Sequence, residues 1–226
     1  MPASSQNMAA AFAALEAEVR SRLAAFPSCH DWEHTARVLE NARRLAAAEG
    51  ADRTVVEFAA LLHDIGRTAD IQSKGRRCHA RLGERITREL LPQFGITDPA
   101  FIERVAAAVR THRWRDPARP ESIEAKVVFD ADKLDSLGAV GLARSFHFAG
   151  REGARIHNTE SEALAAASYS RDDTAYREYL VKLRHLPAGM LTESGRAAAR
   201  KRLAFMEAFF HELEREIGGG DLPCLS

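Results

Sequence analysis

Along most of the chain apolar residues return at steps of three and four, the spacing that places them on one face of an α-helix. The alternating pattern of a half-buried strand is nearly absent. Val127-Val128-Phe129 is the best short apolar run, and it lies inside a longer helical pattern. Alanine, leucine, glutamate and arginine dominate the composition, and all four are strong helix formers. The pattern predicts an all-α fold of about eight or nine helices.

Breakers and caps set the expected boundaries. A first helix covers 7–26 and stops near Pro27. Ser28 with Asp31 three residues on resembles a capping box. It opens a helix over 31–49 that ends at Gly50 and carries His34, Val38, Ala42 and Leu45 on one face. Thr54 with Glu57 is a second box, opening a helix over 54–65 with Phe58, Leu62 and Ile65 on one face. A loop at 67–75 and a helix over 77–91 follow, stopped by Pro92. Asp98-Pro99 starts a helix running to His112, since proline is tolerated in a first turn. Helices are expected over 122–136, 138–149, 172–186 and 193–217, with a loop over 150–171. No repeat or low-complexity linker divides the chain, so one domain over 7–217 and a tail over 218–226 are expected.

Composition narrows the class. In 226 residues, 32 basic side chains balance 32 acidic ones, which argues against a surface built for nucleic-acid polymers or membranes. A local basic pocket remains open. Cys29, Cys78 and Cys224 form no close pair, so a reducing compartment fits. Ala9–Leu15 is followed by Glu16 and Glu18 and reads as a helix rather than a signal peptide. No apolar run approaches the roughly 20 residues that span a bilayer. A cytoplasmic protein is expected.

Chemistry concentrates in an ordered set: His34, then His63-Asp64, then Asp132, with 28 and 67 residues between. Each lies on a predicted helix whose same-face neighbours are apolar. A buried imidazole or carboxylate needs a partner, and a metal ion would satisfy all four. Imidazole with carboxylate suits Mn²⁺, Fe, Co²⁺, Ni²⁺ or Zn²⁺. On a helix Asp130 sits about 200° from Asp132 and Asp135 about 60° from it. Asp132 and Asp135 therefore share a face, and Asp130 looks elsewhere.

Leu61-Leu62-His63-Asp64-Ile65-Gly66 resembles the signature of the HD superfamily of metal-dependent phosphohydrolases. His34 within Asp31-Trp32-Glu33-His34-Thr35-Ala36-Arg37-Val38, and Asp132 within Asp130-Ala131-Asp132-Lys133-Leu134-Asp135, supply the other two parts of the pattern. The sequence is most similar to the small single-domain bacterial YpgQ/YedJ-like HD proteins, through Gly138–Phe146 and into Met190–Phe210. The resemblance implies an all-α HD-domain bundle with one divalent metal, Mn²⁺ first among the candidates, held by His34, His63, Asp64 and Asp132. It also implies hydrolysis of (deoxy)nucleoside triphosphates to monophosphate and pyrophosphate.

The expected mechanism follows from charge. A divalent ion lowers the pKa of water and polarises a phosphoryl oxygen. Asp64 both ligates and orients the attacking water, Arg67 lies just past it, and Asp135 supports a ligand or positions water. Lys74, Arg76, Arg77 and Arg81, then Arg110, Arg113 and Arg115, and Lys133 beside Asp132, are the basic residues available to phosphate. Of these, Lys74, Arg77 and Lys133 are the expected substrate contacts. His79 and His112 fall where some HD proteins hold a second metal. The single-metal subgroup does not require one, so both are read as pocket residues contacting phosphate.

Three other readings compete: a phosphodiesterase or 5′-nucleotidase using the same metal, a di-iron oxygenase needing His79 and His112, and a non-catalytic nucleotide-binding module. The expected partner is a small phosphorylated substrate, a nucleotide, and a homodimer is compatible with the sequence.

Overall fold

The computed structural model describes residues 5–24, 31–72, 78–113 and 118–220, and among these every regular element is helical. In chain order they are α1 (Ser5–Ala24), α2 (Trp32–Glu49), α3 (Arg53–Leu62), α4 (Arg67–Gln72), α5 (His79–Leu90), α6 (Pro99–Thr111), α7 (Ile123–Leu134), α8 (Gly138–Arg151), α9 (Glu160–Ala165), α10 (Ala175–Val181) and α11 (Glu193–Ile217), with 3-10 turns at Leu91–Phe94 and Leu183–Gly189. None of the described helices is long and apolar enough to cross a membrane.

The helix ends show which local signals operate. Gly50 closes α2 in the left-handed conformation, φ 65°, where a glycine carries no Cβ penalty. Asp98 caps α6 by accepting from Ala100 N at 3.0 Å, with Pro99 in the first turn, as expected. Both expected capping boxes are replaced. Asp31 itself caps α2, while Ser28 lies outside the described residues. Asp52 caps α3, accepting from Thr54 N and Val55 N at 3.0 and 3.3 Å. Glu57 instead accepts from Arg43 and Arg53 at 2.8 and 2.9 Å. The expected loop at 67–75 begins with the short helix α4, and the expected loop at 150–171 contains α9.

The chain divides into two compact units, residues 1–132 with 191–195, and residues 133–190 with 196–226. In the first, Leu15 and Val19 of α1, Phe58, Leu61 and Leu62 of α3, Val105 and Val109 of α6, and Val127 and Val128 of α7 are buried. Phe58 meets Phe12 and Phe101 edge-on, with ring centroids 5.2 and 5.3 Å apart. Burial on this scale supplies the main drive for ordering the helices. In the second unit the aromatic cluster of Phe146, Tyr179 and Phe210 plays the same part, with Tyr179 and Phe210 4.8 Å apart.

Candidate metal centre

Five helices of the first unit and the turns at their ends deliver six side chains to one place. Asp31 Oδ1 accepts from His34 N at 2.9 Å, which seats His34 in the first turn of α2. His63 is the residue that ends α3, and Asp64 lies in the turn leading to α4. Gly66 in that turn packs directly on α5. A Cβ there would lie 2.8 Å from Gly83 N and 3.2 Å from the carbonyl carbon of His79. Only glycine allows this approach, and it brings His79, the first residue of α5, beside Asp64. His112 ends α6, and Asp132 lies on α7.

The arrangement is two groups around Asp64. On one side His34 Nε2 lies 3.2 Å from His63 Nε2 and 3.5 Å from Asp132 Oδ1. Asp64 Oδ2 faces both imidazoles, 3.8 Å from His34 Nε2 and 3.7 Å from His63 Nε2. On the other side Asp64 Oδ1 faces His79 Nε2 at 3.6 Å and His112 Nε2 at 3.7 Å. His34, His63 and Asp132 form one ligand-competent group, and Asp64, His79 and His112 form another.

The far nitrogens fix what these rings present. His63 Nδ1–H donates to Ala60 O at 2.8 Å, and His112 Nδ1–H donates to Val109 O at 2.7 Å. His79 Nδ1–H donates to Asp70 Oδ2 at 2.8 Å. With Nδ1 carrying the proton, each ring turns the lone pair of Nε2 toward the centre. Burial pushes the His63 imidazole down to about 3, against the pull of Asp64 and Asp132. Burial also pushes His79 down to about 4, helped by Arg67 and His112 and opposed by Asp64 and Asp70. Converging lone pairs and carboxylates repel one another, and a cation is what relieves that repulsion. The donor set of imidazole nitrogens and carboxylate oxygens fits a divalent transition metal.

Arg67 sits at the rim. Its guanidinium lies 3.2 Å from Asp64 Oδ1 and 3.6 Å from Asp70 Oδ2. The Arg67 and Asp132 side chains, 21% and 17% exposed, are the partly open members, against 1% for His34 and 2% for Asp64.

The remaining expected residues are placed differently. Asp135 is the first residue past the end of α7 at Leu134. Within the second unit Asp135 is buried and accepts from Arg144 Nη1 at 2.6 Å. Lys133 belongs to the same unit and is buried. Lys74 and Arg77, with Arg76 and Arg115, lie outside the described residues. Arg81 is exposed. Arg110 faces Glu84 at 3.5 Å, and Arg113 donates to Cys78 Sγ at 3.5 Å. Asp130 faces away from the centre, bonding Leu191 and Thr192.

Asp70 is the contributor that sequence reasoning passed over. Its signal was faint: an acid three residues after Arg67, in a stretch read as loop.

The HD domain family matches residues 31–137, which span His34, His63-Asp64, His79, His112 and Asp132. Over 207 residues the chain is 35% identical to Bacillus subtilis YpgQ, covering 90% of this chain and 92% of that protein. The crystal structure of B. subtilis YpgQ in complex with ADP superposes with a TM-score of 0.72 at 32% identity, covering 96% of this chain and all of that one. A predicted HD superfamily hydrolase from an uncultured Thermotogales bacterium superposes with a TM-score of 0.66 at 29% identity, covering 90% and 91% of the two chains. Sequence match, fold and likeness to YpgQ agree, and the chain belongs to the HD superfamily of metal-dependent phosphohydrolases.

Proposed function

We propose that this chain is a nucleotide pyrophosphohydrolase, converting a (deoxy)nucleoside triphosphate to monophosphate and pyrophosphate, with a divalent ion held by His34, His63, Asp64 and Asp132. The observation that carries the reading is the convergence of the Nε2 atoms of His34 and His63 with carboxylate oxygens of Asp64 and Asp132 in a largely buried cluster. The complex of B. subtilis YpgQ with ADP supports a nucleotide as the ligand class.

When bound, the ion lowers the pKa of water and polarises a phosphoryl oxygen, with Mn²⁺ the first candidate. The chain does the rest. Asp64, with Oδ2 toward one group and Oδ1 toward the other, orients the water. Arg67, tied to Asp64 and partly open, offers guanidinium N–H groups to phosphoryl oxygens as their charge shifts. Asp132 and Arg67 are the open edge, so the phosphate chain enters over them. Lys74 and Arg77, shortly after Arg67 in sequence, and Lys133, next to Asp132, serve as further basic contacts.

A specific observation favours a second reading for His79 and His112. Both have committed Nδ1–H, to Asp70 and Val109. With Nδ1–H given to these acceptors, the Nε2 of each ring presents a lone pair, which repels a phosphate oxygen and suits a cation. The pair therefore completes a second cation site with Asp64 rather than contacting phosphate. A second ion held by Asp64, His79 and His112 would help clamp the attacking and leaving oxygens of the displacement.

Chromatographic analysis of products from a panel of nucleotides with Mn²⁺ tests the function. Pyrophosphate in equal amount to monophosphate is expected. Orthophosphate alone points to a phosphomonoesterase, and turnover of cyclic nucleotides alone to a phosphodiesterase.

A further inference from the structure

Asp130 is fully buried on α7, and its carboxylate does not serve the metal group. Its Oδ1 accepts from Leu191 N at 2.9 Å, and its Oδ2 accepts from Thr192 N at 2.8 Å and from the Thr192 hydroxyl at 2.6 Å. The Thr192 hydroxyl oxygen in turn accepts from Gly195 N at 3.0 Å. A Cβ at position 195 would lie 2.6 Å from Thr192 Oγ1 and 2.9 Å from the Asp130 carboxyl carbon, so the segment can sit this close only with glycine there. At its other side Glu49, the last residue of α2, accepts from Ser194 N at 2.7 Å. The segment 191–195 is thus fastened to both α2 and α7. A direct tie joins the same two helices, from Asn41 Nδ2 to Ala131 O at 3.3 Å.

These two helices carry His34 and Asp132, whose Nε2 and Oδ1 lie 3.5 Å apart. Asp130 and Asp132 are two positions apart, about 200° around the helix. Fixing Asp130 on one side therefore fixes the rotation at which Asp132 points to the other. Residues 191–195 lie outside the stretch that matches the HD domain.

We propose that Asp130 and Thr192 are positioning residues: they hold α7 at the rotation that brings Asp132 to His34 and His63, so that the cation site depends on a segment far along the chain. This rests on the reading of His34, His63, Asp64 and Asp132 as cation ligands. Thr192→Val keeps the shape and removes the hydroxyl, taking a donor from Asp130 and an acceptor from Gly195. Thr192→Ser restores the hydroxyl. Asp130→Asn retains one acceptor but turns an amide N–H₂ toward donors from Thr192.

Mn²⁺ alone is titrated calorimetrically into the full chain at 25 °C, with circular dichroism confirming each variant folded. Thr192→Val and Asp130→Asn are expected to weaken the higher-affinity site about 10- to 100-fold, the range for supports of a metal ligand, while Thr192→Ser binds as the wild type does. His34→Ala is the control. If His34→Ala abolishes that site and both Thr192→Val and Asp130→Asn bind with unchanged affinity, the positioning role is overturned and the ligand assignment stands. If His34→Ala leaves binding intact, the ligand assignment falls and the positioning role falls with it. Should Thr192→Val not fold, the Asp130→Asn affinity decides.

Discussion

His79 Nδ1 lies 2.8 Å from Asp70 Oδ2, a charge-assisted hydrogen bond in which both side chains are nearly buried. Asp70 sits on α4 and His79 opens α5, so the bond crosses from one helix to the next and sets which nitrogen of His79 faces Asp64. Such partners raise the basicity of a metal-bound imidazole and hold its plane. Asp70→Asn is expected to lower Mn²⁺ affinity at the Asp64–His79–His112 group, or kcat, about 10- to 100-fold. Metal titration with steady-state kinetics reads both, and unchanged values would remove Asp70 from the site.

The ligand assignment predicts a larger loss. His63→Ala or Asp132→Ala takes one donor from the group around His34. Transition-state stabilisation by a metal is worth several kcal/mol, so kcat/KM for triphosphate hydrolysis is expected to fall about 10³-fold or more. Metal content after dialysis separates loss of the ion from loss of the fold, which circular dichroism follows.

The buried histidines give the cation-free protein a definite pH response. His63 and His79 are held near 3 and 4, well below their ordinary 6.5. Below about 6.5 the unfolded chain takes up protons at these positions and the folded chain does not, so the unfolded state binds more protons. Stability is complete above that pH and drains away as pH falls toward 4 and then 3. Chelated protein is expected to show a lower Tm at pH 5 than at pH 7. Saturating Mn²⁺ at each pH is expected to raise Tm, with the smaller gain at pH 5, where protons compete for the ligands.

Gly66 gives a structural prediction tied to the same centre. A Cβ at this position meets the backbone of His79 and Gly83, which cannot move as a side chain would. Gly66→Ala is expected to cost about 1–3 kcal/mol and to lower Tm by roughly 2–10 °C in a thermal melt. An unchanged Tm would mean that the turn and α5 separate freely.

How far the sequence reached is visible in these same residues. His34 was legible because its apolar neighbours follow the helical period. Asp98-Pro99 and Gly50 were legible because capping is local chemistry. His63 and Asp64 were found through the motif, but their setting was misjudged. The apolar period of α3 runs on to Ile65, whereas the helix stops at Leu62 and the pair occupies a turn. Asp70 and the Asp130–Thr192 bond depend on contacts between residues 9 and 62 positions apart, and no periodic signal encodes such contacts. The orientation of His79 and His112 was beyond reach for the same reason. Which nitrogen faces Asp64 is decided by the Asp70 carboxylate and the Val109 carbonyl, whose places are set only when the chain folds.

On the proposed reading, an ion held by His34, His63, Asp64 and Asp132 is required for pyrophosphate release from a nucleoside triphosphate. This requirement is tested most directly by assaying pyrophosphate and monophosphate from the purified chain before chelation, after chelation, and after Mn²⁺ is restored, with Asp64→Ala in parallel. The two products are expected in equal amounts, to vanish on chelation, to return with Mn²⁺, and to stay absent in Asp64→Ala. Hydrolysis that survives chelation, or persists in Asp64→Ala, would contradict the account.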